Sequence, residues 1–240
     1  MKIQKLALGA LLMGTTMGVA QAQTEAGKLL LNGRISYFNT KSESSSIGSI
    51  DYPLSTQENN RSVGFTFSPQ ISFFVANNLA LGIATEISTG RNIASYTQFN
   101  STDNTYLYGN SKSTSRGINI GPFVRYYKMI GEKTGFYGQL DGRYQYQSQK
   151  TNSNYLGSLN RNDYYETKTT GGAVNLTPGF VYFPSPKVGL ELTMGGLSYY
   201  KGKTKTRNSS STQTRLDSDN SGFNANLGIQ YLAVGASLHL

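Results

Sequence analysis

Residues 61–91 read RSVGFTFSPQISFFVANNLALGIATEISTGR, and the alternation within this stretch decides the fold. Val63, Phe65, Phe67, Ile71, Phe73 and Val75 share one parity, while Gly64, Thr66, Ser68, Gln70 and Ser72 share the other. Successive side chains of a strand point to opposite faces, so the segment has one unbroken apolar face and one polar face. The chain turns at Ala76-Asn77-Asn78, after which Leu79, Leu81, Ile83 and Ile87 resume an apolar face opposed by Glu86. Two amphipathic runs joined by a tight turn predict an antiparallel hairpin.

The same period extends outward along the chain and predicts eight strands, over 29–41, 61–75, 79–91, 116–129, 136–150, 170–183, 188–203 and 229–240. Each reaches the roughly 9 to 11 residues that a tilted strand needs to cross a bilayer's hydrocarbon. Short connections (76–78, 130–135 and 184–187) alternate with long polar ones (42–60, 92–115, 151–169 and 204–221). Short turns on one rim and long loops on the other are the habit of outer-membrane barrels. Parity changes near Gly195-Gly196, which predicts a β-bulge. It slips again over 222–231, before Leu232, Val234, Ala236, Leu238 and Leu240 settle on one face.

Charge follows the same parity. Arg34, Glu86, Arg125, Asp141, Arg143 and Glu191 are the mid-strand charges, and all six lie opposite the apolar residues of their own strands. A charge facing lipid at the midplane costs about 2 to 4 kcal/mol, so the apolar face is assigned to lipid and the charged face to the barrel interior. The inverse arrangement, a lipocalin-like soluble barrel, calls for many Lys and Glu along the outer strand faces, and there are too few. Eight strands leave an interior just wide enough for side chains. Buried charges need partners, so Arg34, Arg125 and Arg143 are expected to pair with Glu86, Asp141 and Glu191 in a network that fills the lumen.

Composition narrows the chemistry. The 240 residues include one His, no Cys and no Trp, which excludes a disulfide framework, a thiol nucleophile and a multi-histidine metal site. No cofactor is expected. At the N-terminus, Lys2 and Lys5 precede an apolar stretch, and Ala20-Gln21-Ala22 offers a small-x-small cleavage site. Residues 1–22 therefore read as a signal peptide and 23–240 as the barrel domain. The net charge of +9 comes without a basic stripe interleaved with aromatics, so no nucleic-acid partner is expected.

Three strands end in a recurring unit: Pro69 with Phe73-Phe74, Pro122 with Tyr126-Tyr127, and Pro178 with Tyr182-Phe183. Each pair precedes a short turn, and all six aromatics are expected to form a girdle at one membrane interface, with Tyr37, Tyr144, Tyr146, Tyr199 and Tyr200 at the other. Each proline should mark a bulge or irregular pairing. The words Ser68-Pro69-Gln70-Ile71-Ser72-Phe73-Phe74-Val75-Ala76-Asn77-Asn78-Leu79-Ala80-Leu81-Gly82 resemble the outer-membrane protein β-barrel domain family, the small eight-stranded barrels akin to the OmpA transmembrane domain. The resemblance covers nearly all of residues 23–240 and implies an all-β, antiparallel, up-and-down transmembrane barrel in a bacterial outer membrane. Its implied partners are outer-membrane lipid, lipopolysaccharide and the outer-membrane assembly machinery. Two departures from that family stand out: no periplasmic domain is expected after the barrel, and Leu240 stands where such barrels commonly carry an aromatic.

Some small outer-membrane barrels carry a histidine-centred catalytic site at the exterior rim. Here His239 falls at the other end, and Asp217 and Asp219 sit in a Ser/Asn-rich segment as solvated turn residues. A structural or surface-interaction role without catalysis is therefore expected, with a gated ion path or a lipid A-modifying enzyme as alternatives. Lys201, Lys203, Lys205, Arg207 and Arg215 form a cationic set suited to lipopolysaccharide phosphates or a partner.

Overall fold

The computed structural model describes residues 23–46, 54–100, 105–156, 161–208 and 215–240. Eight strands run in chain order: β1 Leu29–Ser46, β2 Leu54–Ala76, β3 Leu79–Asn100, β4 Thr105–Met129, β5 Thr134–Leu156, β6 Arg161–Ser185, β7 Val188–Asn208 and β8 Arg215–His239. Each pairs antiparallel with the next, and β8 returns to β1 to close an up-and-down barrel. The signal peptide expected at 1–22 lies outside the described residues.

The strands are longer than the alternation predicts. They run from 18 residues in β1 to 25 in β4, so most of the segments expected as long polar loops are paired strand. Connections at that rim shrink to 47–53, 101–104, 157–160 and 209–214, all outside the described residues. The reason is physical. Above the apolar belt both faces of the sheet meet water, so the amphipathic signature vanishes while the backbone ladder continues. Cross-strand hydroxyl pairs run up this region: Ser113 with Thr151 at 3.0 Å, Thr169 with Thr204 at 3.0 Å, Thr167 with Thr206 at 3.2 Å and Ser153 with Ser111 at 3.1 Å. At the opposite rim the connections are short, and Asn78 takes the left-handed conformation (φ 66°) that Asn tolerates better than most residues.

The walls sort as parity requires. Ile35, Ile71, Ile83, Ile120, Leu140, Val174, Leu190 and Val234 are exposed on the outer wall, while Ala80, Ala84, Ala173 and Val181 are buried inside. The aromatic girdle needs correction, because adjacent residues of a strand cannot share a face. Phe73, Tyr126 and Tyr182 point outward, with exposures of 56%, 53% and 41%. Phe74, Tyr127 and Phe183, at 1%, 0% and 1%, belong to the barrel interior.

The irregularities cluster on β6 to β8. The β7–β8 register jumps from Met194↔Leu232 to Gly195↔Leu227, at the expected bulge, and Gly195 adopts positive φ. Of the three prolines, only Pro178 coincides with a register shift, between Leu176 and Gly179 against β7. Pro69 and Pro122 are paired on one side, with Gly33 and Ile83, and interrupt the ladder on the other without changing its register. Closure itself is brief: β1 and β8 pair from Leu30↔His239 to Gly33↔Ala236, supplemented by reciprocal backbone bonds of 2.8 Å between Leu29 and Leu240.

The extension of the strands is directly testable. In hydrogen–deuterium exchange on the protein in micelles, amides of 92–100 and 105–115 should be protected against exchange, in contrast to unpaired amides. Exchange of both segments within the mixing time would show that they are loops.

Candidate functional site

The barrel interior is layered, and each layer follows from parity. At the short-turn end Leu30, Phe74, Ala80, Tyr127, Tyr137, Val181 and Phe183 form one buried cluster. The His239 ring joins it, 4.9 Å from Phe183 and 5.8 Å from Phe74 between centroids. Its Nδ1 lies 2.8 Å from the Gln23 carbonyl oxygen and its Nε2 lies 3.2 Å from Ser237 Oγ. Beneath this layer, residues 23–28 fold across the mouth. Thr24 Oγ1 donates to Asn78 Oδ1 at 2.6 Å, and the Gly27 amide donates to the Phe74 carbonyl. Gly179 makes the layer possible: a Cβ there would fall 2.3 Å from the Tyr137 ring, so only glycine lets that ring lie against β6.

Directly above sits Arg125, buried, with all five N–H groups directed to acceptors. Nε and Nη2 both donate to Gln139 Oε1 (2.9 and 2.7 Å), Nη2 also donates to Gln70 Oε1 (3.1 Å), and Nη1 donates to Tyr127 Oη (3.0 Å) and Glu191 Oε1 (2.9 Å). The guanidinium lies 4.4 Å from the Tyr137 ring centroid, a cation–π contact. Glu191 is satisfied in turn, its Oε2 accepting from Asn32 Nδ2 at 2.5 Å and Tyr137 Oη at 3.1 Å. The ion pair is therefore held by hydrogen bonds at both ends, as a desolvated pair requires.

Gln139 carries the network upward, donating from Nε2 to Asp141 Oδ1 at 3.3 Å. Asp141 also accepts from Asn175 Nδ2 at 2.7 Å and from Arg143 Nη2 at 2.9 Å. Arg143 Nε lies 2.8 Å from Asp141 Oδ2, an ion-pair contact whose N–H is not aligned for a hydrogen bond. Arg143 Nη1 stands 3.6 Å from Glu86 Oε2, and Glu86 accepts from Asn119 Nδ2 at 2.9 Å and Ser68 Oγ at 3.4 Å. Among the six charges singled out from sequence, five are brought together as Arg125–Glu191 and Glu86–Arg143–Asp141. Arg34 departs from the expectation: its Nη1 donates to Thr193 Oγ1 at 3.2 Å, and no carboxylate partner is seen among the described residues. The carboxylates nearest that level are already committed to Arg125 and Arg143.

Between Arg34, Arg125 and Arg143 a space of about 20 Å³ remains, room for about one water. Above it the lumen opens into a polar cavity of about 420 Å³, lined by Arg34, Glu86, Asn119, Arg143, Gln145 and Asn175 among others. Asn32, Gln139 and Thr193 each share parity with a named charge on their own strand, a signal the sequence reading does not use, whereas Asn175 lies on β6, which carries none of the six. Tyr127 was assigned to the wrong face and Tyr137 to none.

No protein-family model matches the chain, and neither does any curated protein. Among solved structures, it is similar to the crystal structure of the outer membrane protein OprG from Pseudomonas aeruginosa, with 14% identity, a TM-score of 0.40, and coverage of 91% of this chain and 98% of that one.

Glu191→Ala leaves the Arg125 charge buried and unpaired, and should cost about 3 to 5 kcal/mol in urea-induced unfolding from phospholipid vesicles. Combining it with Arg125→Met should restore part of that loss. Strict additivity of the two substitutions would show that the pair is not coupled.

Proposed function

We propose that this chain is an integral protein of a bacterial outer membrane, exported through its N-terminal leader, whose barrel holds a closed, salt-bridged interior and serves a structural or surface-interaction role without catalysis. One observation carries the reading: the closed sheet exposes a continuous apolar band while its mid-strand charges point inward. From Phe65 to Val75, Ile118 to Tyr126 and Phe136 to Tyr146 the outward positions carry no charge. These bands are close to the strand length that spans bilayer hydrocarbon. An exposed apolar surface of that continuity is not one a soluble monomer tolerates.

The closed state is supported by two successive layers, the Arg125 network and the aromatic floor. A hydrated ion would have to break both to pass, and the first contains a desolvated charge pair whose separation is costly. Lipopolysaccharide around the rim and the assembly machinery during insertion are the partners consistent with this placement.

Two measurements test the reading. In fractionated cells the protein should appear in the outer membrane and shift its gel mobility on heating, whereas recovery as a soluble periplasmic protein would refute it. In planar bilayers the purified protein should give no more current than the empty bilayer; steady open-channel conductance would instead favour the gated ion path.

A further inference from the structure

A second charged site lies on the outer wall, on the side facing away from the lumen. Outward-facing residues of β4, β5 and β6 enclose a groove of about 630 Å³, lined by Lys112, Arg116, Lys150 and Lys168 with Tyr146 and Glu166. The register fixes the arrangement. Arg116 pairs with Ser148 and Ser148 with Lys168, so two cations flank one hydroxyl on a single rung. Lys150 stands two residues above that serine on the same face, and Lys112 lies one outward position beyond its β4 neighbour Thr114. All four cations are exposed. Glu166 is the one carboxylate among the lining residues, and it is engaged with Lys168 at 3.2 Å.

The level of the groove matters as much as its charge. Arg116 is two residues above Ile118, and Ile118 pairs with Tyr146 at the top of the apolar band. Below follow Ile120 and Tyr144, both exposed. A cationic concavity seated directly on a lipid-facing apolar wall matches an amphiphile with phosphate at its head and acyl chains beneath. We propose that this groove binds the phosphorylated headgroup of an outer-leaflet glycolipid, its phosphate held by Arg116, Lys150 and Lys168 with the Ser148 hydroxyl, and its acyl chains lying on Ile118, Ile120 and Tyr144. Arg and Lys suit this task, since charge-assisted contacts to phosphate are among the stronger polar interactions and each cation near an anionic surface adds to attraction. The proposal rests on the outer-membrane reading above and adds to it a specific ligand class and a specific place on the wall.

The test uses the folded protein in detergent micelles, with folding verified independently by heat-modifiable mobility. Binding of bis-phosphorylated lipid A is followed by native mass spectrometry, beside dephosphorylated lipid A and inorganic phosphate. One saturable lipid per barrel is expected, weakened about tenfold or more in the triple variant Arg116→Gln, Lys150→Gln, Lys168→Gln. The variant Lys41→Gln, Arg61→Gln, which removes a cross-strand pair of exposed cations on β1 and β2, should leave it unchanged. Equal losses in the two variants, or none in either, would overturn the site. Equally tight binding of inorganic phosphate or of the dephosphorylated lipid would overturn the headgroup assignment. Failure of the wild-type barrel to insert into membranes is read separately, by fractionation, and would count against the outer-membrane reading instead.

Discussion

An ionised side chain cannot be left without partners in a low-dielectric surrounding, and in this barrel that constraint decides which way the charge-bearing strands β1, β3, β4, β5 and β7 face. A strand offers two faces only, and shifting one by a single residue would carry its whole apolar set inward and its charges outward. Arg125 shows the constraint most fully. It is buried, yet its guanidinium finds four side-chain acceptors drawn from β2, β4, β5 and β7. Register, and not proximity in sequence, places Gln70, Tyr127, Gln139 and Glu191 at one height. A slip of any of these strands would leave the cation short of a partner.

The layers above and below follow from this centre. The aromatic floor of Phe74, Tyr127, Tyr137, Phe183 and His239 separates the network from the short-turn mouth, and two of its members, Tyr127 and Tyr137, also supply hydroxyls to the charges. Upward, Gln139 couples the Arg125–Glu191 pair to the Asp141–Arg143–Glu86 chain, so the two charge clusters are parts of one hydrogen-bonded system. Side chains from β1 to β7 enter it, while Arg34, Thr193 Oγ1 and the Ala233 carbonyl of β8, which accepts from Thr193 at 3.4 Å, form a separate short chain beside it. Such a network ties neighbouring and distant strands together inside a wall whose β1–β8 seam is short. The same logic inverted governs the outer wall, where apolar side chains occupy the band and cations stand beyond it, Arg116 above and Lys128 at the short-turn rim.

Much of this was legible in the sequence. The number of strands, their order of facing, the inward set of six charges and the irregularity near Gly195 all follow from parity, because parity is a covalent property of the chain. What parity does not carry was missed. The upper halves of the strands are Ser-, Thr- and Asn-rich on both faces, so they look like loops although their backbones pair. Arg34 was expected to meet a carboxylate, but partner choice depends on height along tilted neighbours, and Thr193 stands at that height. The aromatic pairs were read as one girdle from their composition, when the alternation already applied to Phe65 and Phe67 sends Phe74, Tyr127 and Phe183 inward. That signal was available.

The orientation of the sheet is the claim on which the account stands, and adjacent residues of β5 test it most directly. The chain has no native cysteine, so a nitroxide placed at Tyr144 or at Gln145 reports one face alone. In phospholipid vesicles, power-saturation spectroscopy should find the label at 144 accessible to oxygen and shielded from a water-soluble nickel chelate, and the label at 145 shielded from oxygen. A label at 145 that contacts lipid, with 144 facing the lumen, would contradict the account.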